Sequence, residues 1–99
     1  MKEIRLRPGA VADLREIRRY TLRTWGASQA RAYLEELGCG IQAIATGDAF
    51  TTQVRAGSGV FRRCRCREHY IFFRETADVL DVIRIFHAKM DVVRRLVDE

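Results

Sequence analysis

Three cysteines and two histidines are the side chains here most able to do chemistry, and four of them crowd the second half: Cys64, Cys66, His69 and His87. Cys64-Arg65-Cys66 sets two thiols on one face of an extended strand, whereas a structural zinc site uses a Cys-x2–4-Cys knuckle on a turn and four tetrahedral ligands. That spacing points to small apolar residues, Cys39 apart, rather than to a metal centre. No metal or cofactor is expected. Neighbouring arginines favour a thiolate, but no base is placed beside either cysteine to make it a nucleophile. The sequence has no Gly-rich phosphate loop, HExxH or GxSxG. Metal-free cleavage of RNA needs a base for the 2′-hydroxyl, an acid for the leaving oxygen and cations for the phosphate. Cations are plentiful, but Glu68, His69, Tyr70 and His87 form no defined pair in the sequence. His87, closing a core strand, reads first as structural, and no catalytic residue is assigned.

The cations are unevenly placed. Between Arg55 and Arg74 six arginines stand against Glu68 alone, a net charge equal to the +5 of the whole chain. A basic ribbon of this kind calls for an anionic partner, either nucleic acid or an acidic protein segment. An odd number of cysteines and a start, Met1 to Arg5, without an apolar leader lead to an expectation of reduced thiols and a cytoplasmic location. No apolar run reaches the roughly 18 residues of a membrane span.

The elements that must carry these residues follow from periodicity. Lys2 to Arg7 alternates charged and apolar residues, a half-buried strand stopped by Pro8-Gly9. Ala10, Leu14, Ile17, Thr21 and Trp25 form the apolar stripe of a first helix, with Asp13 among the residues of its opposite arc. Gly26 breaks that helix, and Ser28 is placed to cap a second, whose stripe is Ala30, Tyr33, Leu34, Leu37, Ile41 and Ile44. Gly38 and Gly40 within it imply either a close backbone approach or a bend. Asp48 to Ser58 has no period and reads as a loop. Strands follow at Val60–Cys66, His69–Arg74 and Leu80–His87, joined by short hairpin turns that make them antiparallel neighbours. The first sets Phe61, Arg63, Arg65 and Arg67 on one face and Val60, Arg62, Cys64 and Cys66 on the other. The last is apolar on both faces and therefore central, paired on both sides. Ala88 to Glu99 has the spacing of a short docking helix. The expectation is one α+β domain over residues 1–99, with an N-terminal strand, an antiparallel helical hairpin on an antiparallel sheet and a C-terminal helix.

The order of elements and several residue strings resemble the ParE branch of the RelE/ParE toxin superfamily over almost the whole chain. The strings are Ala12-Asp13-Leu14-Arg15-Glu16-Ile17, Trp25-Gly26 with Gln29-Ala30, Arg62-Arg63, His69-Tyr70-Ile71-Phe72-Phe73-Arg74, and Val82 to Asp91 with its arginine, histidine and Met-Asp. The chain departs from the pattern in using Cys66-Arg67-Glu68 at a hairpin turn where the family favours Gly or Asn, and in lacking a proline after Gly47.

The resemblance implies the toxin of a type II toxin–antitoxin pair, held in a hetero-oligomeric complex by a cognate ParD-like antitoxin. It further implies DNA gyrase as the target, with no membrane partner. Arg84, His87, Lys89, Met90, Arg94 and Arg95 are then the expected target-binding residues. An acidic or amphipathic antitoxin segment is expected to lie across the helices and the arginine face, touching Tyr33, Leu37, Arg62, Arg63 and Arg65. The sister RelE branch cleaves messenger RNA on the ribosome. Members of that branch carry lysines where this chain has Thr51, Thr52 and Gln53, and often a late tyrosine, whereas here no tyrosine follows Tyr70, so the resemblance favours gyrase over RNA cleavage. A non-toxic protein-binding module is the third reading.

Overall fold

The computed structural model describes residues 2–90. These form β1 (Glu3–Leu6), α1 (Pro8–Trp25), α2 (Ala27–Thr46), β2 (Thr52–Ala56), β3 (Gly59–Cys66), β4 (His69–Glu75) and β5 (Val79–His87). The strands make one five-stranded sheet in the order β1-β5-β4-β3-β2. The α+β architecture is the one the periodicities imply. The expected C-terminal helix lies, beyond Met90, outside the described residues.

Pro8 opens α1, where its missing N–H costs nothing. Gly26 separates the helices at φ 94°, a backbone setting that favours glycine. α2 begins at once at Ala27 with no side-chain cap, so Ser28 sits inside the first turn and does not serve as the expected cap. Ala10, Ile17, Leu37, Ile41 and Ile44 meet Cys64, Ile71, Phe73, Leu80, Val82 and Ile85 in the core between helices and sheet. Trp25, assigned to the first stripe, is instead 67% exposed at the end of α1. The other sheet face carries a second cluster of Ala56, Phe61, Phe72, Ile83 and Phe86, flanked by Val54 and Tyr70.

Three features of the sheet differ from expectation. The segment read as a loop contains β2, a short edge strand paired with β3 from Thr52↔Arg63 to Ala56↔Gly59. It exposes Thr52, Gln53 and Arg55 and so leaves little apolar pattern to read. β1 runs parallel to β5, because the helical hairpin carries the chain back before the sheet continues, so the sheet is mostly rather than wholly antiparallel. Finally, β5 is flanked by strands on both sides only over Val79–Val82, where Glu3–Leu6 pair with it. Its later half pairs with β4 alone.

A bulge shapes that later half. Glu75 faces Leu80 and Phe73 faces Val82, but Phe72 faces Arg84, which leaves Ile83 as the extra residue of β5. The shift carries through to the end of the hairpin, where His69 lies opposite His87 rather than Phe86.

Candidate functional site

Where β1 ends, the side chain of Asp13 on α1 takes over the edge of β5. Its Oδ2 accepts the Ile85 backbone N–H at 2.9 Å. The same carboxylate binds Arg84 in a fork, with Nε to Oδ2 at 2.8 Å and Nη2 to Oδ1 at 2.9 Å. Both side chains are mostly buried, 13% exposed for Asp13 and 19% for Arg84, and the guanidinium also lies 4.5 Å over the Phe86 ring. Asp13 therefore faces the sheet, contrary to its assignment to the outer arc of α1. Arg84, expected at the target surface, is held inside by this pair.

The bulge assembles a second constellation beside it. His69 and His87 meet edge to face with ring centroids 5.3 Å apart, and Tyr33 from α2 meets His69 in the same way at 5.5 Å. Tyr33 Oη accepts the Glu68 backbone N–H at 3.1 Å and lies 2.6 Å from His69 Nδ1. The network is satisfied when the tyrosine proton goes to Nδ1 and His69 keeps its own proton on Nε2. Burial chiefly, with the neighbouring His87 next, holds His69 down at about 4, so the ring is neutral at ordinary pH. Burial also pushes the Tyr33 hydroxyl up. On His87 the Nδ1 atom accepts the Lys89 backbone N–H at 3.1 Å. The rings line a groove of about 630 Å³ together with Ile17, Tyr20, Thr21 and Trp25. Tyr20 is 58% exposed on its rim. The sequence reading found no defined pair among the proton carriers, and the fold supplies one. Its signal was the antiparallel pairing of a strand that begins with histidine and one that ends in it, masked by the bulge.

The arginine ribbon lies on the sheet face away from the helices. Arg63 and Arg65 stack on Tyr70 at 4.3 and 5.3 Å from the ring centroid. Arg62 turns the other way and donates to Thr51 Oγ1 at 2.8 Å from Nη2. Arg67 pairs with Glu36 at 2.5 Å. Leu37, expected as a surface anchor, is 0% exposed. It belongs to the core beneath α2, because its stripe position turns it to the sheet. Tyr33, its expected companion, lines the histidine groove on the opposite side of the sheet from Arg63 and Arg65. Lys89 and Met90 are exposed, while Arg94 and Arg95 lie outside the described residues.

Burial pushes the Cys64 and Cys66 thiols up, which makes both poor nucleophiles. Among the described residues no cluster of three or more His, Cys, Asp or Glu side chains is arranged to hold a metal ion. No helix among them is long and apolar enough to cross a membrane.

Residues 4–92 match the family described as ParE toxin of type II toxin-antitoxin system, parDE. Toxin ParE of Escherichia coli is 40% identical over 90 residues, covering 90% of this chain and 87% of that protein. Toxin ParE1 of Mycobacterium tuberculosis (strain CDC 1551 / Oshkosh) is 36% identical over 95 residues, covering 92% and 94%. Among solved structures, a chain of the chromosomal ParDE toxin–antitoxin system from P. aeruginosa superposes with a TM-score of 0.72 at 17% identity, over 90% of this chain and 98% of that one. YafQ from E. coli superposes with a TM-score of 0.60 at 8% identity, over 89% and 94%. Both structural likenesses concern the fold alone.

Proposed function

The chain belongs to the ParE toxin family of type II toxin–antitoxin systems, and from that premise we propose that it acts in the cytoplasm by poisoning DNA gyrase, without being a nuclease itself, and that a cognate ParD-like antitoxin neutralises it. As a toxin of such a system it has an antitoxin for its partner. The observation that carries the non-nuclease reading is the internal use of the histidine lone pairs. His87 Nδ1 is occupied by the Lys89 N–H and His69 Nδ1 by the Tyr33 hydroxyl. With each Nδ1 engaged in this way, the other nitrogen of each ring carries a proton and only donates, so neither ring is poised to take the proton of a 2′-hydroxyl. Arg84 would likewise have to leave Asp13 before it could face a phosphate.

In this reading the antitoxin segment seats apolar side chains in the Tyr20, Trp25 and Tyr33 groove and brings its acidic residues to Arg63 and Arg65 on the open face and to Arg62 at the edge of β3. The exposed end of β5, with His87, Lys89 and Met90, and the later Arg94 and Arg95 meet the target. Arg84 supports that surface from within.

Incubating the purified toxin with gyrase, ATP and supercoiled plasmid, and separately with translating ribosomes, tests the proposal. Cleaved plasmid should accumulate while messenger RNA stays intact. RNA cleavage with normal supercoiling would overturn it and make the His69 and His87 pair the first suspects.

A further inference from the structure

Arg63 differs from the arginines around it. Arg62 donates to Thr51, Arg67 pairs with Glu36, Arg65 reaches Glu68 at 4.0 Å, and Arg74 Nε donates to the Val60 carbonyl at 3.3 Å. Arg63 has no carboxylate or carbonyl partner among the described residues, and its Nε is fully buried without an acceptor. A buried donor of a charged group left unmade costs free energy, and folds keep that cost chiefly where the group has a use. Stacking on Tyr70 holds the guanidinium in place but supplies no counter-charge.

What lies in front of it indicates the use. Arg63, Arg65, Tyr70 and Thr52 line a pocket of about 520 Å³ at the edge of β3, and Phe50 closes its rim from the segment between α2 and β2. That volume falls in the range of small-ligand sites, about 300–1,000 Å³. No Asp or Glu side chain lines it. Phe50 is 87% exposed, so its flat ring is presented to solvent beside two cations. An acidic peptide would satisfy the cations and leave that ring unused. A single strand of nucleic acid offers both a phosphodiester anion and an unpaired base, which stacks on an aromatic ring regardless of sequence.

We propose that this pocket binds a single-stranded segment of nucleic acid, with a phosphodiester oxygen on Arg63 and an unpaired base on Phe50. The chemistry is common to DNA and RNA. It does not depend on the gyrase reading, and an antitoxin lying on the arginine face would cover the site.

Fluorescence anisotropy of fluorescein-labelled oligo-dT and oligo-rU 12-mers, titrated with the full chain at several salt concentrations, tests the proposal without gyrase. Arg63→Ala should weaken binding about tenfold or more and lower the slope of log affinity against log salt by about one. Phe50→Ala alters only an exposed ring and keeps the fold; it should weaken binding about five- to tenfold. Arg5→Ala, at the far edge of the sheet and beside Glu3, should bind as the parent does. Loss of either probe's binding in both pocket variants supports the site, and the ratio of the two affinities assigns DNA or RNA. The proposal fails if both pocket variants bind the oligonucleotides like the parent. It fails equally if Arg63→Ala weakens only a Glu-rich peptide.

Discussion

Asp13 satisfies three donors with one carboxylate, two from Arg84 and one from the Ile85 backbone. Asp13→Ala takes one shared acceptor from a mostly buried guanidinium and from a strand N–H, and should lower unfolding free energy by about 2–4 kcal/mol. Asp13→Asn keeps an acceptor and should cost less; urea unfolding of the two variants checks the order. His69 adds a dependence on pH. In the fold it is held at about 4 by burial and by His87, with Arg65 acting the same way and Glu68 and Asp13 opposing, whereas an unfolded histidine titrates near 6.5. Between those values the unfolded chain binds a proton that the folded chain refuses. Stability from this group is therefore complete above about pH 6.5, falls as the pH drops, and levels off below about 4. The loss should be about 1–2 kcal/mol, since water reaches part of the ring. Urea midpoints from pH 7.5 to 4.5 should fall less steeply in His69→Gln than in the parent, and parallel curves would refute the assignment.

The two glycines of α2 have different neighbours. A Cβ on Gly40 would come within 3.3 Å of Cys66 Sγ and 3.4 Å of Ile71 Cδ1, while one on Gly38 meets nothing within 4 Å. Gly40 thus answers to close packing of α2 on β3 and β4. Gly38 answers to no contact in the structure. Gly38→Ala should raise stability by about 0.5–1 kcal/mol through helix propensity alone. Gly40→Ala gains the same propensity but must push aside a thiol and a buried methyl, so its melting temperature should rise less or fall. At the β3–β4 turn, Arg67 takes φ 57°, the left-handed setting for which the family's usual Gly or Asn is suited. Here an arginine accepts that geometry while its side chain pairs with Glu36.

Protection from hydrogen exchange should follow the order of the sheet. Leu80 and Val82 are 0% exposed and lie where β5 is enclosed by β1 and β4, so their amides should exchange only on global unfolding. The edge strand β2 should exchange far faster through local opening. Slow exchange in β2 with fast exchange at Leu80 would contradict this topology. The molecule as a whole separates two surfaces across one sheet. The helix side carries the aromatic groove with its two histidines, and the open side carries Arg63 and Arg65. A partner that covers both must wrap around an edge of the sheet, which an extended segment does more readily than a rigid domain.

Periodicity reports which face of its own element a side chain occupies. On that basis alone the sequence determined both helices, β3 to β5, and the two faces of β3, with Arg63 and Arg65 opposite Cys64 and Cys66; pairing of β5 on both sides, expected along its whole length, holds only over Val79–Val82. The ordered strings pointed to the ParE family. Which elements face one another depends on register and on loops, to which periodicity is blind. The tertiary structure therefore decided that His69 meets His87, because one bulged residue moved the pairing by a place. It decided that Asp13 completes the edge of β5 where β1 stops, and that Leu37 is core. The same holds for Arg63, an ordinary member of a basic ribbon in the sequence, whose Nε becomes a buried donor without an acceptor only once Tyr70 and β2 are packed around it.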